Sequence, residues 1–143
     1  MTRSIDTTEY ISTVLELLNA GKRDVPVPIK GQSMVPFLRE GDTVYLNSLP
    51  CAPKTSDVVL YRRADGSFVL HRIAKRLSDG SYFLLGDNQT MLEPIKKEQI
   101  LAIATSAKRK NRLITEKSGV WLFYKTVWLW LWRLRPLIAR IKK

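Results

Sequence analysis

Three short segments hold the residue types that hydrolytic chemistry needs. The first is Gly31-Gln32-Ser33-Met34-Val35-Pro36-Phe37-Leu38, followed by Gly41-Asp42-Thr43-Val44. A serine hydroxyl is a poor nucleophile unless it is held beside a base and near amides that receive an oxyanion. Gly31 would permit close backbone approach ahead of Ser33, and Pro36 restricts the chain behind it. This turn offers Ser33 as a nucleophile, with Ser33 and Met34 as the oxyanion and substrate-binding positions. The second segment, Phe68-Val69-Leu70-His71-Arg72-Ile73, carries the chain's single histidine inside a strand-like run. Alternation places Val69, His71 and Ile73 on one face, so the imidazole is expected to project from a sheet. Taken alone, a strand histidine is more often structural; beside a serine it is the commonest general base. The third segment is Leu85-Gly86-Asp87-Asn88, followed by Glu93-Pro94. A buried carboxylate from this segment could orient His71 and stabilise its protonated form. Each segment by itself reads as an ordinary turn or strand, and only the combination carries chemistry.

The elements that must position these residues are mainly β. Residues 6–20 read as an amphipathic helix, with Ile11, Val14, Leu15, Leu17 and Leu18 at near-helical spacing and Gly21 as a stop. Strands are predicted at Val25–Lys30, Thr43–Asn47, Asp57–Arg63, Phe68–Arg76, Tyr82–Leu85 and Ile100–Lys108. Asp65-Gly66 and Asp79-Gly80 each join two such runs, which is the local chemistry of a β-hairpin.

The 143 residues are enough for one domain with a real core, without metal or disulfide staples. One histidine and one cysteine, Cys51, supply no structural zinc cluster and no intramolecular disulfide, and nothing calls for a cofactor. Charge is unevenly divided. Residues 1–98 hold 13 Lys/Arg and 12 Asp/Glu, whereas residues 99–143 hold 11 Lys/Arg and one acid, Glu116. The expected organisation is one domain at 1–112, near-neutral through residue 98, and a basic, Trp-rich tail at 113–143. Within the tail, Val120–Trp132 carries one charge, Lys125, and all four tryptophans, Trp121, Trp128, Trp130 and Trp132. Its uncharged stretch falls short of the roughly 20 apolar residues that span a bilayer. Tryptophan, leucine and basic residues together suit a helix lying at an anionic membrane surface. A helix packed on the domain or on a partner is the plainer alternative. The expected location is membrane-associated, on the cytoplasmic face.

In combination the motifs resemble the type I signal peptidase family. Gly-x-Ser-Met-x-Pro, then Gly-Asp-x-Val, then a strand ending in His71-Arg72-Ile73, then Gly-Asp-Asn follow that family's order across about Val25 to Ala104. Many bacterial members carry a lysine where His71 stands, so the chain is similar to the histidine-dependent branch of endoplasmic-reticulum and archaeal enzymes. The resemblance implies a coiled β-sheet domain, shared with self-cleaving repressors. It implies Ser33 as nucleophile, His71 as base and Asp87 or Glu93 as the orienting acid. Glu93 departs from the usual Asp, which leaves the choice between the two open. Also implied are a peptide or preprotein substrate with small residues before the scissile bond, and processing of a leader or signal-like peptide. The usual N-terminal transmembrane anchor has no counterpart in residues 1–20, and the tail is the candidate replacement. The competing expectation is a catalytically inactive binding or regulatory module that uses the basic tail on membrane or nucleic acid. Lys108-Arg109-Lys110-Asn111-Arg112 has the charge to touch phosphates but lacks a reading helix or stacking platform, which argues against nucleic acid. The sequence is silent on a partner subunit.

Overall fold

A computed structural model of the chain describes residues 4–31, 34, 37–87, 91–115, 117–128 and 140–141. Helix α1 (Ser4–Asn19) leads into β1 (Val25–Pro28), β2 (Thr43–Asn47), β3 (Val58–Arg62), β4 (Phe68–Arg76) and β5 (Tyr82–Leu85). Then come β6 (Met91–Ile95), β7 (Ile100–Arg109), β8 (Arg112–Thr115), the short helix α2 (Gly119–Phe123) with a π-helical turn at Tyr124–Trp128, and β9 (Arg140–Ile141). The sheet order is β1-β2-β7-β3-β4-β5-β6-β9, with β8 on β7. All pairings are antiparallel except β6 with β9. The fold is mainly β with a helix at the N-terminus and a short one toward the C-terminus, as the sequence patterns predict.

Both Asp-Gly pairs make the expected hairpins by the same chemistry. Asp65 Oδ1 accepts the Ser67 N–H, Arg63 N–H donates to Ser67 O, and Gly66 takes a left-handed φ. Asp79, Gly80, Ser81 and Leu77 repeat the pattern. This is a type I turn closed by a glycine bulge.

The central strands are buried on both faces. Val58 and Leu60 enter one core cluster with α1 residues Ile11, Val14 and Leu18 and with Val44, Leu46 and Ala104. Val59 and Tyr61 point the other way, into a second cluster with Ile73, Tyr82, Leu84, Ile95 and Ile100. Strands β3 and β6 are separated by two others, so about 14 Å would divide them in a flat sheet. Side chains of Tyr61 and Glu93 nevertheless meet at 2.8 Å. The sheet must therefore coil around the second cluster, and its concave face brings distant strands together.

Three strands escape the sequence pattern: β6, β8, and β9, whose Arg140–Ile141 lies in the segment expected to be helical. β6 contains Pro94, which argues against a strand, yet it sits near the sheet's edge, where a missing N–H is tolerated. β8 is only four residues long and forms by hairpin pairing with β7. It also runs across the 112/113 boundary. Beyond it Trp121 is buried, with its ring 5.1 Å from that of Phe37 in an edge-on contact. Trp121 therefore packs on the sheet domain. The remainder of the expected tryptophan-rich helix, including Trp130, Trp132, Arg133 and Arg135, lies outside the described residues. Among those described, no helix is long and apolar enough to cross a membrane.

Candidate active site

His71 sits in the middle of β4, opposite Val59 of β3. Its face is the one predicted, shared with Val69 and Ile73, and both of those pack in the second cluster. The residue is 2 % exposed, so this is no surface histidine. Its Nδ1 lies 3.0 Å from the Tyr61 hydroxyl. Tyr61 stands two residues along β3 from the position opposite His71, within reach of a diagonal cross-strand contact. The Tyr61 hydroxyl donates to Glu93 Oε1 at 2.8 Å. Arg63, in phase with Tyr61 just past β3, grips the same carboxylate through Nε to Oε2 at 2.8 Å and Nη2 to Oε1 at 2.9 Å. Burial and the Glu93 contact push the Tyr61 phenol far above its ordinary range. The hydrogen bond to Glu93 raises Arg63 further, against the effect of its partial burial.

Asp87 occupies a different place. Its two oxygens take Arg72 Nε and Nη2, each at 2.8 Å, with both side chains almost fully buried. Arg72 neighbours His71 in sequence and so points through the opposite face of β4, where its guanidinium lies 5.0 Å from the Phe37 ring centroid. A third bond from Arg72 reaches Ser56 O at 2.9 Å. Burial pushes the Asp87 carboxyl above its ordinary range, against the pull of Arg72. Of the two acids left open by the sequence, Glu93 is the one linked to His71, through Tyr61. Asp87 is committed to Arg72.

Ser33 lies outside the described residues, as do Gln32, Val35, Pro36 and Asn88; the residues that flank it are described. Gly31 has φ +80°, with open space where a Cβ would stand. The left-handed backbone selects glycine there. The Gly31 N–H donates to Glu40 Oε1 at 2.9 Å. Met34 is buried, and its sulfur accepts the Asp87 N–H at 3.4 Å. Phe37 and Leu38 are each 1 % exposed. Arg109 donates to Phe37 O at 2.7 Å and pairs with Asp42, whose Oδ2 also accepts the Arg39 N–H at 2.9 Å. The aspartates of Gly41-Asp42 and Gly86-Asp87 thus serve one end. Each engages an arginine that meets Phe37, on the C-terminal side of Ser33.

Sequence reasoning missed four of these partners: Tyr61, Arg63, Arg72 and Arg109. A hydroxyl and a cation in phase within Val58-Val59-Leu60-Tyr61-Arg62-Arg63 was the available signal for the first two. Arg72 and Arg109 offered none, because strand arginines are ordinarily solvated.

On the face of β3 and β4 opposite to Tyr61 and His71 runs an apolar cleft of about 310 Å³, lined by residues that include Val27, Ile29, Val44, Leu60, Phe68 and Leu70. Ile29 leads into the Ser33 loop, and Leu70 precedes His71. The edge of β4 is open here. Pairing with β5 begins only at Arg72. Ile73 exchanges hydrogen bonds with the β3 side, so by alternation Phe68 and Leu70 turn their N–H and C=O groups away from β3. No strand among the described residues covers them.

A coiled antiparallel sheet with a buried histidine–tyrosine–glutamate chain suits a peptidase-type domain. Residues 2–107 match the Peptidase S24-like family, and the chain belongs to that family. No curated protein matches it. Membership supports a serine-peptidase type of function. It does not by itself extend to the signal-peptidase branch.

Proposed function

We propose that this chain is a serine endopeptidase of signal-peptidase type that cleaves a leader or signal-like peptide close to a membrane surface. Ser33 Oγ attacks the scissile carbonyl carbon while His71 Nε2 takes the hydroxyl proton. The C–N bond then breaks, and the same proton passes to the departing amine. Water repeats the sequence on the acyl-enzyme, which returns Ser33 and releases the acid. Backbone N–H groups at Ser33 and Met34 receive the oxyanion. The reading rests above all on one observation: the only imidazole is buried and anchored at Nδ1 to the Tyr61–Glu93 pair, which suits a base acting from Nε2.

The cleft and the open edge of β4 fit an extended peptide. Leu70 and Phe68 would hydrogen-bond its backbone, and the apolar lining would take a side chain before the cut. Membrane proximity is supported by the basic C-terminal third and by Leu113, Val120, Leu122 and Phe123, all exposed around β8 and α2. The test is cleavage of a leader-type peptide with a small residue before the bond, read by mass spectrometry. Ser33→Ala and His71→Ala should each lose activity by a comparable, large factor, because members of such a unit fail together. Full activity in purified Ser33→Ala protein would remove the nucleophile assignment.

A further inference from the structure

We propose that Tyr61 is a positioning residue for His71, an inserted hydroxyl through which Glu93 fixes the imidazole with its proton on Nδ1 and its lone pair on Nε2. The proposal rests on the reading of His71 as the base, and it identifies what makes that base ready.

The assignment follows from counting protons. A carboxylate held by both arms of a guanidinium is an acceptor only, and Glu93 is held this way by Arg63. Tyr61 has a single O–H, and that hydrogen goes to Glu93 Oε1 at 2.8 Å. The phenol oxygen therefore has only lone pairs left for His71 Nδ1, 3.0 Å away. Nδ1 must be the donor. A neutral imidazole carries one N–H, so the lone pair is on Nε2, the atom that must accept a proton from a serine. The opposite assignment would require a protonated Glu93 inside the grip of Arg63, or two hydrogens on one phenol.

The chain also explains how an acid on β6 can serve a histidine on β4 from a side position. Glu93 pairs across from Leu84 on β5 and meets Arg63 and Tyr61 through its carboxylate. The phenol extends its reach by one hydroxyl. Burial and the Glu93 contact keep that phenol neutral far into the alkaline range, so Tyr61 orients the base and does not replace it.

The chain's single histidine makes a direct test possible. Ring-nitrogen NMR of protein labelled at histidine gives one pair of imidazole signals, free of overlap. In the wild-type protein the neutral ring should show Nδ1 protonated and Nε2 unprotonated. A dominant Nε2–H form would overturn the proposal without any variant being made. Tyr61→Phe should release this single tautomer and lower kcat by about 10²-fold with KM within twofold, less than the ~10⁴-fold seen when a direct orienting acid is neutralised. Tyr82→Phe is the control. It removes another buried hydroxyl from the same core cluster, one that donates to Pro53 O at 3.2 Å away from His71, and it should change neither readout. A Tyr61→Phe protein that keeps the Nδ1–H form and kcat within twofold would refute the positioning role. The two readings fail separately. An active His71→Ala protein would sink the base, while the tautomer measured in resting wild-type protein still reports on Tyr61.

Discussion

Replacing Asp87 by Asn tests whether the two acids that follow His71 in sequence have been sorted correctly between structure and site. The substitution keeps the side chain's shape and removes its charge. Arg72 and Asp87 side chains are 1 % and 2 % exposed, and the carboxylate supplies two of the guanidinium's three hydrogen bonds. Without it a cation stays buried, with only Ser56 O and the Phe37 ring as strong partners. Breaking one side of a buried pair typically costs about 3–5 kcal/mol. At roughly 3 °C per kcal/mol for a chain of this size, Tm should fall by about 9–15 °C. Replacing both partners by apolar residues, Arg72→Met with Asp87→Leu, should cost far less than the two single changes added together. Glu93→Gln is the comparison. Glu93 and Arg63 are 13 % and 30 % exposed, so water screens the loss and the stability cost should stay near 1 kcal/mol. Urea unfolding followed by tryptophan fluorescence, with thermal melts by circular dichroism, measures the wild type and each variant. An Asp87→Asn protein within about 1 kcal/mol of wild type, beside a strongly destabilised Glu93→Gln, would show that the acids had been assigned the wrong way round.

Three further outcomes are expected. Burial raises the Asp42 carboxyl, but the Arg109 side chain and the Arg39 N–H outweigh it and hold Asp42 below its ordinary range. Its folded value lies under its unfolded one, so its contribution is complete above about pH 4 and fades as pH falls further. The stability gap between wild type and Asp42→Asn in urea titrations should shrink accordingly below that pH, and a constant gap would exclude the linkage. Trp121→Ala should cost about 3–5 kcal/mol, as for other buried aromatics, because the ring packs on Phe37 in the core. A near-neutral melt would mean that α2 is not docked on the sheet. Deleting residues 129–143 leaves that packing in place and should weaken sedimentation with anionic vesicles at low salt, as should Leu122→Ser with Phe123→Ser. Unchanged sedimentation in both would remove the membrane from the proposed function.

Local chemistry was legible from the chain alone. Alternation and turn residues delivered β2, β4 and β5 with their observed ends, the two Asp-Gly-Ser hairpins, and the face of β4 that carries His71. These depend on neighbours within a few residues, which a sequence displays directly. The order of motifs similarly pointed to a peptidase fold, and the S24-like match agrees at that level. Partner choice was decided by the tertiary structure. Asp87 and Glu93 are equally plausible acids when written in a line, six residues apart. Pairing of β4 with β5 sends Asp87 toward Arg72 on one face. The coil of the sheet carries Glu93 back to Tyr61, 32 residues earlier, on the other. Met91-Leu92-Glu93-Pro94-Ile95 was unreadable as a strand because its proline is acceptable only at an edge, and edges exist only once the sheet is assembled. The physical reason is the same throughout. Hydrogen bonds and ion pairs fall off within a few ångströms through space, and separation along the chain does not reveal which groups a coiled sheet will bring that close.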